Sequence, residues 1–339
     1  MLLGVGGAVQ ERSLPLQVRF VPGESTGSYV TRLAARNGLA VNRLLDSVGR
    51  GKSKAVDPRY TELYVDRAGR ARLAALTGRP VEDLTRALVS TRDEQLLPDG
   101  RSGPVWAWPW QPRGGYLVRG CALCTAGRGI EYPVWLICPD PWHICVRHGR
   151  FSDNSRDDRV PFIDLAPGPH VVEAERRRLK LVRRLGPLGR VLMADAFGVL
   201  AHPAVNRPRL GSPRTEPLRL LATAVEVAYA MARIERARLE HRVTEDDYVR
   251  WRGQVAKELG WKIGHALAAW SQQHPVLPGE PSVRSHPRGV RPCPAAPHEQ
   301  VGETASIDEI TCVPWEVGGR ASSLRLSGDR MEAAGWGAW

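Results

Sequence analysis

Four side chains able to bind a metal fall into two close pairs near the middle of this chain. Cys121 and Cys124 sit in GCALC, and Cys145 and His148 in ICVRHG. The pattern is C-x2-C, twenty intervening residues, then C-x2-H. Two donors separated by two residues can grip one ion from a tight turn, and a second knuckle about 15–20 residues away completes a tetrahedron around Zn2+. Three thiolates and one imidazole fill all four positions and leave none for water. The expected cofactor is therefore a single structural Zn2+. A glycine stands beside each knuckle, Gly120 before the first and Gly149 after the second.

Other chemistry for the same residues is less well supported. A redox C-x2-C pair needs a strand-to-helix setting, and the TAGRG that follows Cys124 starts a helix poorly. A nucleophilic Cys145 with His148 as base lacks an orienting partner. Unrelated buried cysteines are the plain alternative. Cys138 is a spare thiol with no partner at two-residue spacing, able to compete with Cys121 or Cys145. Cys293 and Cys312 fall in a Pro/Gly-rich tail and carry no expected role.

The elements that must hold the knuckles are mostly helical. Residues 33–45 (LAARNGLAVNRLL) and 73–85 (LAALTGRPVEDLT) repeat the pattern Ala-x3-Gly-x5-Leu, forty residues apart: Ala34, Gly38 and Leu44, then Ala74, Gly78 and Leu84. A small Ala lets two helices approach, Gly takes a left-handed turn, and Leu anchors the second helix. Each copy reads either as a helix-turn-helix offering its second helix to DNA or as a plain helical hairpin. Before the first copy, Leu14–Phe20 is a short strand or an extended arm, Pro22–Gly23 a turn, and Ser25 a helix cap. Between the copies, GRGKSKAVDPRY is a phosphate-contacting loop or a solvated linker. Trp106, Trp108, Trp110, Trp135 and Trp142 cluster near the knuckles. They are expected to pack a metal-bound segment that has little core of its own, with base stacking as the other use.

After residue 171 the chain returns to helix. Val172, Leu179, Val182 and Leu185 are expected to face inward on an arginine-rich first helix. A long helix over 217–241 follows, carrying Leu221, Val225, Ala228, Ala232 and Ile234. Thr244 then caps a helix bearing Val249, Trp251, Val255 and Leu259, and Trp261, Leu267 and Trp270 close the bundle. The expected fold is mainly α. A flexible amino terminus (1–13) leads into a helix-turn-helix-like domain (14–105), a small zinc ribbon (106–165), a basic helical domain (171–274) and a mostly disordered tail (275–339).

Composition bounds the function. With 339 residues, 42% hydrophobic and 25% charged, the chain is globular. No apolar run reaches the ~18–20 residues of a membrane span, the first residues lack a signal peptide's pattern, and six cysteines suit a reducing cytoplasm. The net charge is +12 and the pI about 9.9, which suits a nucleic-acid binder. The excess is split: +7 over 1–120, −1 over 121–170, +8 over 171–274 and −2 over the tail. Candidate DNA contacts in the first basic block are Arg36, Arg43, Arg50, Lys52, Lys54, Arg79 and Arg86. In the second they are Arg176, Arg177, Lys180, Arg183 and Arg184. The ribbon is expected to hold the two blocks together.

The stretch LPLQVRFVPGESTGSYVTRLAARNGL resembles the amino-terminal signature of the TniQ family: PGES, then an R-L-A helix ending in N-G-L. The order that follows is also similar: a helical hairpin, C-x2-C, a tryptophan near 135, then C-x2-H-G. Many members carry a second cysteine knuckle soon afterwards, whereas 149–170 here contains no cysteine. The resemblance covers about 14–150. It implies a non-catalytic selector of transposon target sites, related to TnsD, that binds DNA or a guide complex and recruits an AAA+ ATPase regulator. It also implies zinc-ligand roles for Cys121, Cys124, Cys145 and His148. The alternative is a zinc-containing transcriptional regulator without a transposase partner. A metal-dependent nuclease is disfavoured, because no acidic cluster at metal spacing stands out; Asp153, Asp157 and Asp158 read as a solvated loop.

Overall fold

The first helix begins where the chain leaves an extended loop at Ser25, whose hydroxyl accepts the Ser28 N–H at 3.0 Å. That side-chain cap satisfies one of the orphan donors of α1 (Thr26–Arg36). After Asn37 and Gly38 the chain turns into α2 (Val41–Val48), and the pair forms a helical hairpin. The second copy repeats it with α3 (Arg67–Thr77) and α4 (Val81–Ala87). Asp66 caps α3 through the Gly69 N–H at 2.7 Å, and Gly78 ends it in the left-handed region (φ 59) that a side chain disfavours. Pro80 caps α4, where its missing N–H costs nothing. Both anchoring leucines, Leu44 and Leu84, and both small residues, Ala34 and Ala74, are buried in one core with Tyr29, Leu33 and Leu73.

In this computed structural model the described residues are 13–52, 56–202, 205, 215–240, 242–274 and 276. Lys54 lies outside them, as do residues 1–12 and the tail from 277 onward with Cys293 and Cys312. Ten α-helices and eight short strands occur among the described residues, and roughly half of those residues are helical. They divide into two compact units between Asp164 and Leu165.

In the first unit, Leu14–Phe20 is an extended arm rather than a strand. Asn37 holds it, accepting the Leu16 N–H at 3.0 Å and donating to the Leu16 carbonyl at 2.7 Å. The stretch after α2 departs from a flexible loop. Its first residues form β1 (Arg50–Gly51), which runs parallel to β3 (Val105–Ala107), and β2 (Tyr64–Val65) pairs antiparallel on the other side of β3. Gly51 is needed because a Cβ there would lie 1.8 Å from the Trp106 indole, whose Nε1 donates to the Gly49 carbonyl at 2.8 Å. Trp106, on β3, and Trp108, just beyond it, thus belong to the core of the hairpins, which includes no residue of the cysteine segment.

Beyond β3 come β4 (Tyr116–Arg119), α5 (Ala122–Ala126) and β5 (Trp135–Cys138), with β4 and β5 antiparallel. Next, β6 (Trp142–Cys145), β7 (Arg150–Asp153) and β8 (Ile163–Asp164) form an antiparallel three-stranded sheet.

The second unit is helical: α6 (Pro169–Leu185), α7 (Pro187–Ala201), α8 (Glu216–Leu239), α9 (Glu245–Leu259) and α10 (Trp261–Gln273). Leu221, Val225, Ala228 and Ile234 are buried on α8, and a Thr244–Asp247 capping box opens α9. Three inward assignments need correction. Leu179 is exposed, because the inward stripe of α6 runs through Val171, Ala174, Glu175 and Leu181, and Leu179 points roughly a quarter turn away. Val249 is exposed because its neighbour Tyr248 fills the core position on α9. Trp261 is exposed at the start of α10, where Ile263, Leu267 and Trp270 take the inward positions. Trp270 Nε1 donates to the buried Asp195 at 3.0 Å, and burial pushes that carboxyl up to about 6.

Candidate metal centre

Cys121 is the N-cap of α5 and Cys124 lies one turn inside it, so the helix brings both thiols to one side. Cys145 ends β6, and the tight turn to β7 folds His148 back, its N–H donating to the Cys145 carbonyl at 3.2 Å. The left-handed Gly149 (φ 57) closes that turn. The two knuckles are brought together by neighbouring strands: the Ser152 hydroxyl on β7 donates to the Arg119 carbonyl on β4 at 2.6 Å.

The four donor atoms lie within 4.8 Å of one another, close enough to hold a metal ion. His148 Nδ1 is 3.2 Å from Cys124 Sγ, 3.5 Å from Cys121 Sγ and 3.6 Å from Cys145 Sγ, and the Cys124 and Cys145 sulfurs are 3.5 Å apart. Ordinary zinc bond lengths in a tetrahedron place two sulfurs about 3.8 Å apart and a sulfur and a nitrogen about 3.6 Å apart. These four separations lie within about 0.4 Å of those values, so the donor set is compatible with zinc. Burial, followed by the adjacent Cys145 and Cys121, pushes the Cys124 thiol up to about 12. Thiols packed in this way resist ionising together, and a divalent cation reverses that by stabilising the thiolates. Cys138, on β5, is buried and is not part of the cluster.

The cysteine segment is fastened to the start of α1 by residues of the PGES sequence. The Ser25 N–H donates to the Trp135 carbonyl (2.8 Å), the Ile137 N–H to Gly23 (2.9 Å), and the Trp135 N–H to the Ser28 hydroxyl (3.0 Å). Glu24 bridges on one side to Leu88 and on the other to Leu136. Its carboxylate is fully buried and takes two bonds from Arg32, at 2.8 and 2.6 Å, and one from Ser28. The Glu62 carboxylate, also buried, accepts the Thr26 N–H at 2.8 Å, and burial raises it to about 7. The residues of the signature are therefore structural: a cap, a buried ion pair and a joint to the cysteine-bearing strands.

Arg36, Arg43, Arg50, Lys52, Arg79 and Arg86 are all exposed in the first unit; Arg86 also pairs with Asp83. On α6, Lys180, Arg183 and Arg184 are exposed, and Arg176 pairs with Glu173. Arg177 is engaged within its own unit, ion-paired with Glu226 and stacked over Tyr229 at 5.2 Å. Sequence reasoning missed Arg59, Tyr60 and Arg156. Arg59 and Arg156 lie over the Tyr60 ring, which stacks on Trp110, although Arg156 is far from the others along the chain.

A family model described as TniQ matches residues 15–151, a stretch that holds both hairpins and all four candidate ligands. No curated protein and no solved structure matches the chain. No helix among the described residues is long and apolar enough to cross a membrane.

Proposed function

We propose that this chain, whose residues 15–151 form a TniQ domain, is a zinc-containing DNA-binding adaptor that selects target sites for transposition. In this reading Cys121, Cys124, Cys145 and His148 hold one structural Zn2+ in a ribbon-like segment. The two hairpins serve as helix-turn-helix elements, and the chain bridges DNA or a guide complex to a transposon AAA+ ATPase regulator. The chain is read as an adaptor and not as an enzyme.

The observation that carries the proposal is that one matched stretch contains both the hairpins and a four-donor cluster of tetrahedral size. A closed Cys3His site does no hydrolysis; it fixes backbone that has little core of its own. The exposed Arg36, Arg43, Arg79 and Arg86 would meet phosphates, with Arg50 and Lys52 nearby in sequence. Arg176, Lys180, Arg183 and Arg184 would supply a second set of contacts. Binding then releases counterions and weakens steeply with salt.

The test is a salt titration of binding to short duplexes, with and without a candidate transposon AAA+ ATPase. Steep salt dependence together with a ternary complex supports the adaptor reading. Duplex binding that no ATPase joins favours the transcriptional regulator, and no duplex binding at any salt rejects the regulator and direct duplex contact by the adaptor.

A further inference from the structure

Of the five tryptophans near the knuckles, four are buried and Trp110 is 63% exposed. It is nevertheless held in place. Its indole lies on the Tyr60 ring, with centroids 5.0 Å apart and planes within 7° of parallel. Tyr60 in turn carries the guanidinium groups of Arg59 at 5.4 Å and Arg156 at 5.1 Å. Arg156 Nε donates to the Arg59 carbonyl at 3.0 Å, from a backbone at φ 58 that residues with a Cβ seldom adopt. Arg113, exposed and three residues after Trp110, lies over Tyr64 at 4.6 Å.

The charges around this ledge are unevenly matched. Asp57 and Asp158 are both taken by Arg59, and Asp158 also by Arg119. Arg113 and Arg156 form no ion pair among the described residues. The ledge therefore offers a broad aromatic face, with Arg156 over the adjoining Tyr60 ring, where it also donates to the Arg59 and Asn154 carbonyls, and Arg113 three residues further along the chain.

We propose that Trp110 is a stacking site for an unpaired nucleobase of a single strand, with Arg113 and Arg156 positioned for the flanking phosphates. Bases inside a duplex hide their faces in the stack, so only an unpaired base can lie on the indole. Extension of the indole–phenol stack by one more ring, beside cations, is the chemistry of single-strand binding sites. This site is separate from duplex contact by the hairpins. DNA and RNA single strands share the chemistry.

The test is fluorescence anisotropy of full-length protein with labelled oligothymidine, oligouridine, an abasic strand of equal length and a duplex. The wild type is expected to bind the base-bearing strands more tightly than the abasic one, and the tighter of the two identifies DNA or RNA as the source. Trp110→Ala is expected to weaken single-strand binding by roughly tenfold or more and to leave duplex binding unchanged. Trp110→Phe, which keeps a ring on Tyr60, is expected to recover most of the loss, and this separates stacking from misfolding. The inference is overturned if Trp110→Ala leaves single-strand affinity unchanged, if the abasic strand binds as tightly, or if duplex and single-strand binding fall together. Single-strand binding that depends on Trp110, in a protein that binds no duplex, would reject duplex contact by the hairpins and leave this site standing.

Discussion

At the scale of single residues, the buried charges are the most exposed to test. Glu24 and Arg32 form a doubly bonded ion pair out of contact with solvent. Removing one partner of such a pair strands the other charge and costs about 3–5 kcal/mol. Arg32→Met should therefore lower the urea midpoint of the protein substantially, and an unchanged midpoint would show that the pair contributes little. Glu62 makes the opposite kind of prediction. Its native carboxyl is raised from 4.5 to about 7, so the folded state binds a proton that the unfolded chain has already lost between those values. The stability it contributes is complete below about 4.5 and is lost as pH rises through about 7. Glu62→Gln removes that loss. In paired thermal melts its Tm, relative to wild type, should climb between pH 5 and pH 8, and parallel curves would contradict the assignment.

At the scale of elements, two glycines separate steric from conformational demands. A Cβ at Gly51 would collide with the Trp106 indole, whereas one at Gly38 meets nothing within 4 Å but must accept φ 66. Gly51→Ala should therefore cost about 1–3 kcal/mol through overpacking, and Gly38→Ala nearer 1 kcal/mol through its backbone alone, both read from denaturant unfolding. Equal costs would mean that β1 does not need its close approach to β3. The hairpins were legible in sequence because their cues are local: a cap, a left-handed glycine and a leucine at fixed spacing. The four-donor cluster was legible for the same reason, since two-residue spacing leaves each knuckle little freedom. The fate of the tryptophans was not legible. Trp106 and Trp110 stand four residues apart in one alternating run, and only the pairing of β3 with β1 and β2 buries the first. Nor could α6 be oriented from its pattern, because a charged residue, Glu175, takes a buried place on its inward stripe and pairs there with Arg178.

At the scale of the whole molecule, its two basic blocks should be felt through salt. Arg183 and Arg184 are exposed, whereas Arg177 is bound to Glu226 and Tyr229. Replacing Arg183 and Arg184 with Ala should flatten the log–log salt dependence of duplex binding by about 0.9 for each lost phosphate contact. Arg177→Ala should leave that slope alone and lower stability instead. The reverse pattern would assign the duplex contact to the wrong residues. Zinc at the Cys3His cluster is tested most directly by intact-mass measurement under native and then denaturing conditions. The native chain is expected to carry the mass of one zinc ion, lost on denaturation and missing from Cys121→Ser and from His148→Ala. A native mass equal to that of the bare polypeptide, or zinc retained by both variants, would contradict it.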